Sequence, residues 1–198
     1  MPNTRSHIVT LARQWLGTPY HHQASLKGVG TDCVGLIRGI WRELLGPEPQ
    51  ALPAYTRDWA ETHGRETLLE AARRHLIEVA PSEAQPGDVL VFRWRRNAPA
   101  KHCAILSSLP LPACGERAGP GEGRGRGSHE RSPSGCATMI HALEGAPVSE
   151  VSLSPWWRRH LAAAFAFPCA GVRPSAPAQA GEAGADTIAP GPTTSRPD

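Results

Sequence analysis

A chain of 198 residues with 40% apolar and 20% charged side chains has the material for one domain with a core of ordinary size. Its formal charge of +3 is too small to argue by itself for a nucleic-acid or membrane-surface partner, and no apolar run approaches the roughly 18 residues needed to span a bilayer. The five cysteines (Cys33, Cys103, Cys114, Cys136 and Cys169) are odd in number and include no CxxC pair, and "MPNTRSHIVTLARQW" has no hydrophobic signal core. We therefore expect a protein made in a reducing cytoplasm, with thiols rather than a disulfide frame. If it acts outside the cell, something other than a secretion signal would deliver it.

The apolar period predicts a first helix from about Thr4 to Leu16, with Ile8, Leu11, Ala12, Trp15 and Leu16 on one face and Gly17 as its stop. His7 is expected to border the core. The segment "GTPYHHQASLKGVGTD" is rich in turn formers and reads as loop. A second helix begins near Cys33 with Ile37, Ile40, Trp41, Leu44 and Leu45 as its stripe, and Gly46-Pro47 ends it. A third, more polar helix is expected from about Arg65 to Ile77.

The period then changes to that of strands. "QPGDVLVFRW" is a turn leading into a β-branched and aromatic run from Asp88 to about Trp94, and "KHCAILSS" reads as its antiparallel neighbour. "ATMIHAL", "PVSEVSL" and "LAAAFAF" are three more candidate strands, with "PWWRRH" as a short helical turn before the last. Two stretches are poor in apolar residues and rich in Gly and Pro: about 109–136 and 171–198. We expect a disordered insertion and a disordered tail around a domain of residues 1–170. Helices first and strands afterwards imply an α+β fold with a mainly antiparallel sheet of about five strands.

Cysteine chemistry needs a thiolate, which a helix N-terminus and a nearby imidazole both favour. Cys33 is placed for the first: Asp32 or Thr31 can cap the helix, leaving Cys33 in its first turn among free backbone N–H groups. The same groups could hold an oxyanion. Equally, Cys33 could be a small buried apolar residue. The imidazole would have to come from His102 or His141, which fall on adjoining candidate strands. One could act as general base and the other fix its ring, although a strand histidine is more commonly a satisfied core or surface residue. The other histidines fall on loops or polar faces. No His/Cys set has the short paired spacing of a zinc site, "GVGTD" lacks the pattern of a phosphate loop, and "GRGRG" reads as a solvated linker.

Taken together, "GTPY", "GTDCVGL" opening a helix, "QPGDVLVF", "KHCAIL" and "MIHA" resemble, in that order, the NlpC-type cysteine peptidases. The likeness is strongest to the branch found with tail proteins of phages and gene-transfer particles, and it covers about residues 5–168 without the insertion. The resemblance implies a reduced papain-like fold, with a nucleophile helix packed on an antiparallel sheet that supplies the base. It implies Cys33 as nucleophile, His102 as general base and His141 as the polar group that orients the base. Tyr20 matches a tyrosine that lines the site and assists substrate or oxyanion. Asp32 matches the aspartate of the Asp-Cys-Ser-Gly signature, and Asp88 a structural turn. Val34 departs from the usual serine, so the way some members hold a free substrate amine does not transfer.

The resemblance further implies hydrolysis of amide bonds in peptidoglycan stem peptides, at the γ-D-glutamyl–diaminopimelate bond, with no metal or organic cofactor. It implies action at the cell envelope with phage-like tail proteins as partners, and neither nucleic acid nor a membrane span. A non-catalytic tail-tip adaptor, or acyl transfer to an amine by the same Cys–His pair, are the alternatives. The long insertion is expected to loop out without breaking the pairing of the His102 and His141 strands.

Overall fold

The computed structural model describes residues 5–52, 55, 66–110 and 136–168. The expected insertion and tail lie outside these residues, apart from the insertion's ends at 109, 110 and 136. Helix α1 (Arg5–Arg13) buries Ile8, Val9, Leu11 and Ala12, and Trp15 follows in the next turn. Leu16 and His7, expected against the core, are exposed. The helix closes before Leu16, and Gly17 then turns the chain at φ 80°.

The predicted loop contains a minimal hairpin, β1 (Ser25–Leu26) and β2 (Gly30–Thr31), which leads directly into helix α2 (Cys33–Leu45). Its innermost residues are Gly35, Leu36, Gly39 and Ile40, while Ile37, Trp41, Leu44 and Leu45 are only partly buried. Helix α3 (Thr67–His75) is shorter than predicted, because Ile77 opens strand β3 (Ile77–Val79). A 3₁₀ turn (Pro81–Glu83) follows. Then come β4 (Val89–Phe92), β5 (His102–Ser108), β6 (Thr138–His141), β7 (Ser149–Ser152), helix α4 (Pro155–His160) and β8 (Leu161–Ala166).

These strands form a six-stranded antiparallel sheet in the order β3-β8-β4-β5-β6-β7, one strand more than expected because of β3. Pairing of β5 with β6 is intact, with a register shift between Leu106 and Ser108 near the insertion. The pleat sends alternate residues to opposite faces. Val89, Val91, Cys103, Ile105, Ile140 and Phe165 meet Trp15, Leu36 and Ile40 on the helical side. Leu90, Phe92, Ala104, Leu106, Met139 and Ala164 form a second core with Leu153 and Trp157. Strands buried on both faces explain why their sequences read as continuous apolar runs rather than alternating ones.

At the sheet's end Asp88 has the structural role expected of it: it accepts from Arg5 Nε at 3.2 Å and from the backbone N–H of Gln85 at 2.8 Å.

Candidate active site

Asp32 has extended backbone and caps α2, with Oδ1 accepting the Gly35 N–H at 2.7 Å; the Leu36 N–H bonds the Asp32 carbonyl at 2.9 Å. Among the described residues no acceptor takes the N–H of Cys33 or Val34, so the free donors of the helix mouth belong to Cys33 and its neighbour. The other carboxylate oxygen of Asp32 accepts from the Gln23 N–H at 2.7 Å and the Tyr55 hydroxyl at 2.5 Å. Burial first, and then this carboxylate, push the Tyr55 hydroxyl well above its usual range. Tyr20 is bridged to Thr31 and packs half-buried against the first core, so Tyr20 and Asp32 both flank the turn that presents Cys33.

Strand β5 brings in the imidazole. The half-buried Cys33 has its Sγ 4.0 Å from the Lys101 carbonyl oxygen, which places the sulfur at the very start of that strand. His102 follows, buried, and its Nε2 lies 3.0 Å from Nδ1 of His141. Continued one residue beyond the Ile105–Ile140 pair, the β5–β6 register would bring Ala104 opposite His141, which makes His102 its diagonal neighbour on the same face of the sheet. Cys103 points to the other face, where its Sγ–H donates to the Cys33 carbonyl oxygen at 3.2 Å.

The neighbouring Cys103 thiol, followed by the imidazole and the charge of His102, draws the Cys33 thiol well below its ordinary range, against the effect of burial. The closeness of Cys33, with burial, pushes the Cys103 thiol well above its range, so Cys103 keeps its proton. Burial, and then the charge of His102, lower His141 to about 4. His141 is therefore neutral near pH 7, with one ring nitrogen free to accept. With its Nδ1 accepting from His102 Nε2–H, the remaining nitrogen of His102 is left for the sulfur.

Sequence reasoning missed the residues that surround this line. Trp157 places its ring 5.3 Å from His102 and 5.5 Å from His141, and Trp94 and Phe92 approach His102 at 5.6 and 6.1 Å. His22, read as a loop residue, packs edge-on against Tyr55. A largely apolar cavity of about 250 Å³ opens between α2 and α3, bordered by Val34, Tyr55, Leu68, Ala72 and Cys103; its lining includes the neighbours of Cys33 and His102 in sequence but neither of those residues. Among the described residues no group of three or more His, Cys, Asp or Glu is arranged to hold a metal ion.

A thiol at a helix mouth, an imidazole on the facing strand and a third polar group behind that imidazole define a cysteine-hydrolase arrangement on a papain-like fold. The chain belongs to the NlpC/P60 family, whose sequence pattern matches residues 17–165. Two solved structures support the fold. The NlpC/p60 domain of the peptidoglycan hydrolase SagA is 19% identical, with a TM-score of 0.51, over 83% of this chain and 99% of that domain. An NlpC/P60 family protein from Bacillus cereus ATCC 10987 is 17% identical, also with a TM-score of 0.51, over 84% of this chain but only 41% of the Bacillus protein. No curated protein matches the chain significantly.

Proposed function

We propose that the protein is a cysteine peptidase that hydrolyses amide bonds in peptidoglycan stem peptides, at the bond joining γ-D-glutamate to diaminopimelate. The observation that carries this reading is Cys33 at the capped mouth of α2 with its sulfur against the start of β5, where His102 follows Lys101 and lies 3.0 Å from His141. The Cys33 thiolate attacks the amide carbonyl, and the N–H groups of Cys33 and Val34 are the donors available to the oxyanion. Protonated His102 gives its proton to the departing amine, which leaves a thioester. His102 then takes a proton from water, hydroxide adds to the thioester, and the acid departs as Cys33 returns to thiolate. His141 holds the His102 ring throughout.

Family membership and the likeness to a fold seen in a peptidoglycan hydrolase support the wall as substrate. The choice of bond, and delivery on a phage-like tail particle, rest on the motif resemblance alone. Tyr20 and Asp32 border the nucleophile turn and are the residues proposed to shape the substrate side.

Digestion of purified peptidoglycan by the wild type and Cys33→Ala, with fragments identified by mass, tests the proposal. New amino termini at diaminopimelate from the wild type alone are expected. Identical, intact walls from both proteins across several wall chemistries would overturn it.

A further inference from the structure

The tripeptide Trp-Arg-Arg occurs twice, at 94–96 just after β4 and at 157–159 within α4. Far apart in sequence, the two copies lie side by side. The rings of Trp94 and Trp157 are 5.6 Å apart, and the Arg93 N–H donates to the His160 carbonyl at 2.9 Å. Trp156 joins them at 5.6 Å from Trp94 and 4.9 Å from Trp157, and it is 39% exposed. Arg95, Arg96, Arg158 and Arg159 are all exposed, and neither 93–101 nor 154–160 contains an Asp or Glu. Arg93 is paired with Glu66, and Arg158 donates to the Leu153 carbonyl at 3.1 Å. Arg95, Arg96 and Arg159 have no side-chain partner among the described residues. In a chain whose formal charge is only +3, this is a local concentration of unpaired cations.

We propose that this basic, tryptophan-lined strip is the subsite for the amine side of the substrate, where its arginines take the free carboxylate of the residue that departs. The inference rests on the reading of the protein as a stem-peptide peptidase. His102 delivers its proton to the departing amine, so the amine-side residue lies next to His102. Trp94 and Trp157 stand against that imidazole, with ring centroids 5.6 and 5.3 Å away, and the arginines continue the same two tripeptides into solvent. Diaminopimelate, the residue at that position, carries a carboxylate on its side chain, and a guanidinium fork meets a carboxylate with two parallel N–H donors. The indole rings offer an apolar surface to the methylenes between its charged ends. Four arginines beside one imidazole suit a small acid, whereas the backbone of a nucleic acid needs a longer basic stripe.

The test is isothermal titration of the full chain carrying Cys33→Ala, which binds without turnover. The ligand is the tripeptide L-alanyl-γ-D-glutamyl-diaminopimelate, with its side-chain carboxyl either free or amidated. The free acid should bind roughly tenfold more tightly than the amide. Arg95→Gln, Arg96→Gln and Arg159→Gln combined should abolish that difference and leave the affinity for the amide unchanged, with thermal unfolding as the check on folding. If the triple variant unfolds, the three single variants are compared in its place, each with a reduced preference. Equal affinity for the two forms, binding of neither, a preference that survives the replacements, or tighter binding of a mixed-sequence oligonucleotide than of the free acid would overturn the proposal. Cleavage by the chain with Cys33 intact is followed separately. A carboxylate preference without cleavage keeps the strip and removes the peptidase, whereas cleavage with equal affinity for both forms removes the strip and keeps the peptidase.

Discussion

His102 and His141 stand diagonally across β5 and β6 with Nε2 and Nδ1 3.0 Å apart, and they differ in environment: His102 follows Lys101, whose carbonyl the Cys33 sulfur approaches, whereas His141 meets, among the described residues, His102 and the ring of Trp157. The second imidazole is thus placed to act through the first. Replacing His141 by Ala should lower kcat by roughly 10–100-fold with little change in KM, because the base loses the acceptor that fixes its ring and tautomer. His141→Asn keeps an acceptor oxygen and should retain most of the rate. Steady-state kinetics on a stem-peptide substrate separates the two variants, and equal rates for Ala and wild type would remove His141 from the mechanism.

The same histidine makes stability depend on pH. Its folded value of about 4 lies below its ordinary 6.5, so between these limits the unfolded chain binds a proton that the folded chain does not. Stability at this site is therefore undiminished above about pH 6.5 and falls as pH drops towards 4, by up to roughly 3 kcal/mol. Urea midpoints measured across this window should decline for the wild type and decline less for His141→Asn. Parallel slopes for the two proteins would show that another group carries the acid sensitivity.

Much of this arrangement is legible in the sequence because its signals are local. Asp32 ahead of an apolar helical stripe announces a capped helix with Cys33 at its mouth, and the β-branched runs around Val89 and Ile105 announce strands. Strand β3 is not legible: Ile77 to Val79 continues the apolar spacing of α3, and only pairing with Phe165 and its neighbours turns it into a strand. Cys103 could have been found, since strand alternation sets it opposite His102 and towards the helices. Trp157 could not, because a six-residue helix gives no period, and its place over two histidines depends on how β8 returns beside β4. The two acceptor bonds of Asp32 to Gln23 and Tyr55 are likewise tertiary.

The contact between α1 and α2 depends on an absent side chain. Gly39 lies against the ring of the buried Trp15, whose indole Nε1–H donates to Glu43 at 3.0 Å, and a Cβ at Gly39 would overlap that ring. Gly39→Ala should therefore destabilise the fold by about 1–3 kcal/mol, even though alanine is the better helix former by roughly 1 kcal/mol. Chemical denaturation checks the sign. A more stable variant would mean that Trp15 can move aside at no cost.

Asp32 offers a sharper test, because it affects stability and reactivity in opposite senses. Asp32→Asn can still accept from Gly35, but it sets an amide donor against the Gln23 N–H and the Tyr55 hydroxyl that now share Oδ2. Tyr55 can rotate its hydrogen away, whereas Gln23 cannot, so one donor loses its partner. The expected loss is about 1–3 kcal/mol in the urea midpoint at pH 7. The charge of Asp32, by contrast, opposes ionisation of Cys33. Removing it should move the pH midpoint of iodoacetamide alkylation of Cys33 downward, so that a less stable protein carries a more readily ionised nucleophile. If the midpoint rose instead, the carboxylate would be acting chiefly by holding the helix mouth in place, and the loss of that geometry would outweigh the loss of its charge.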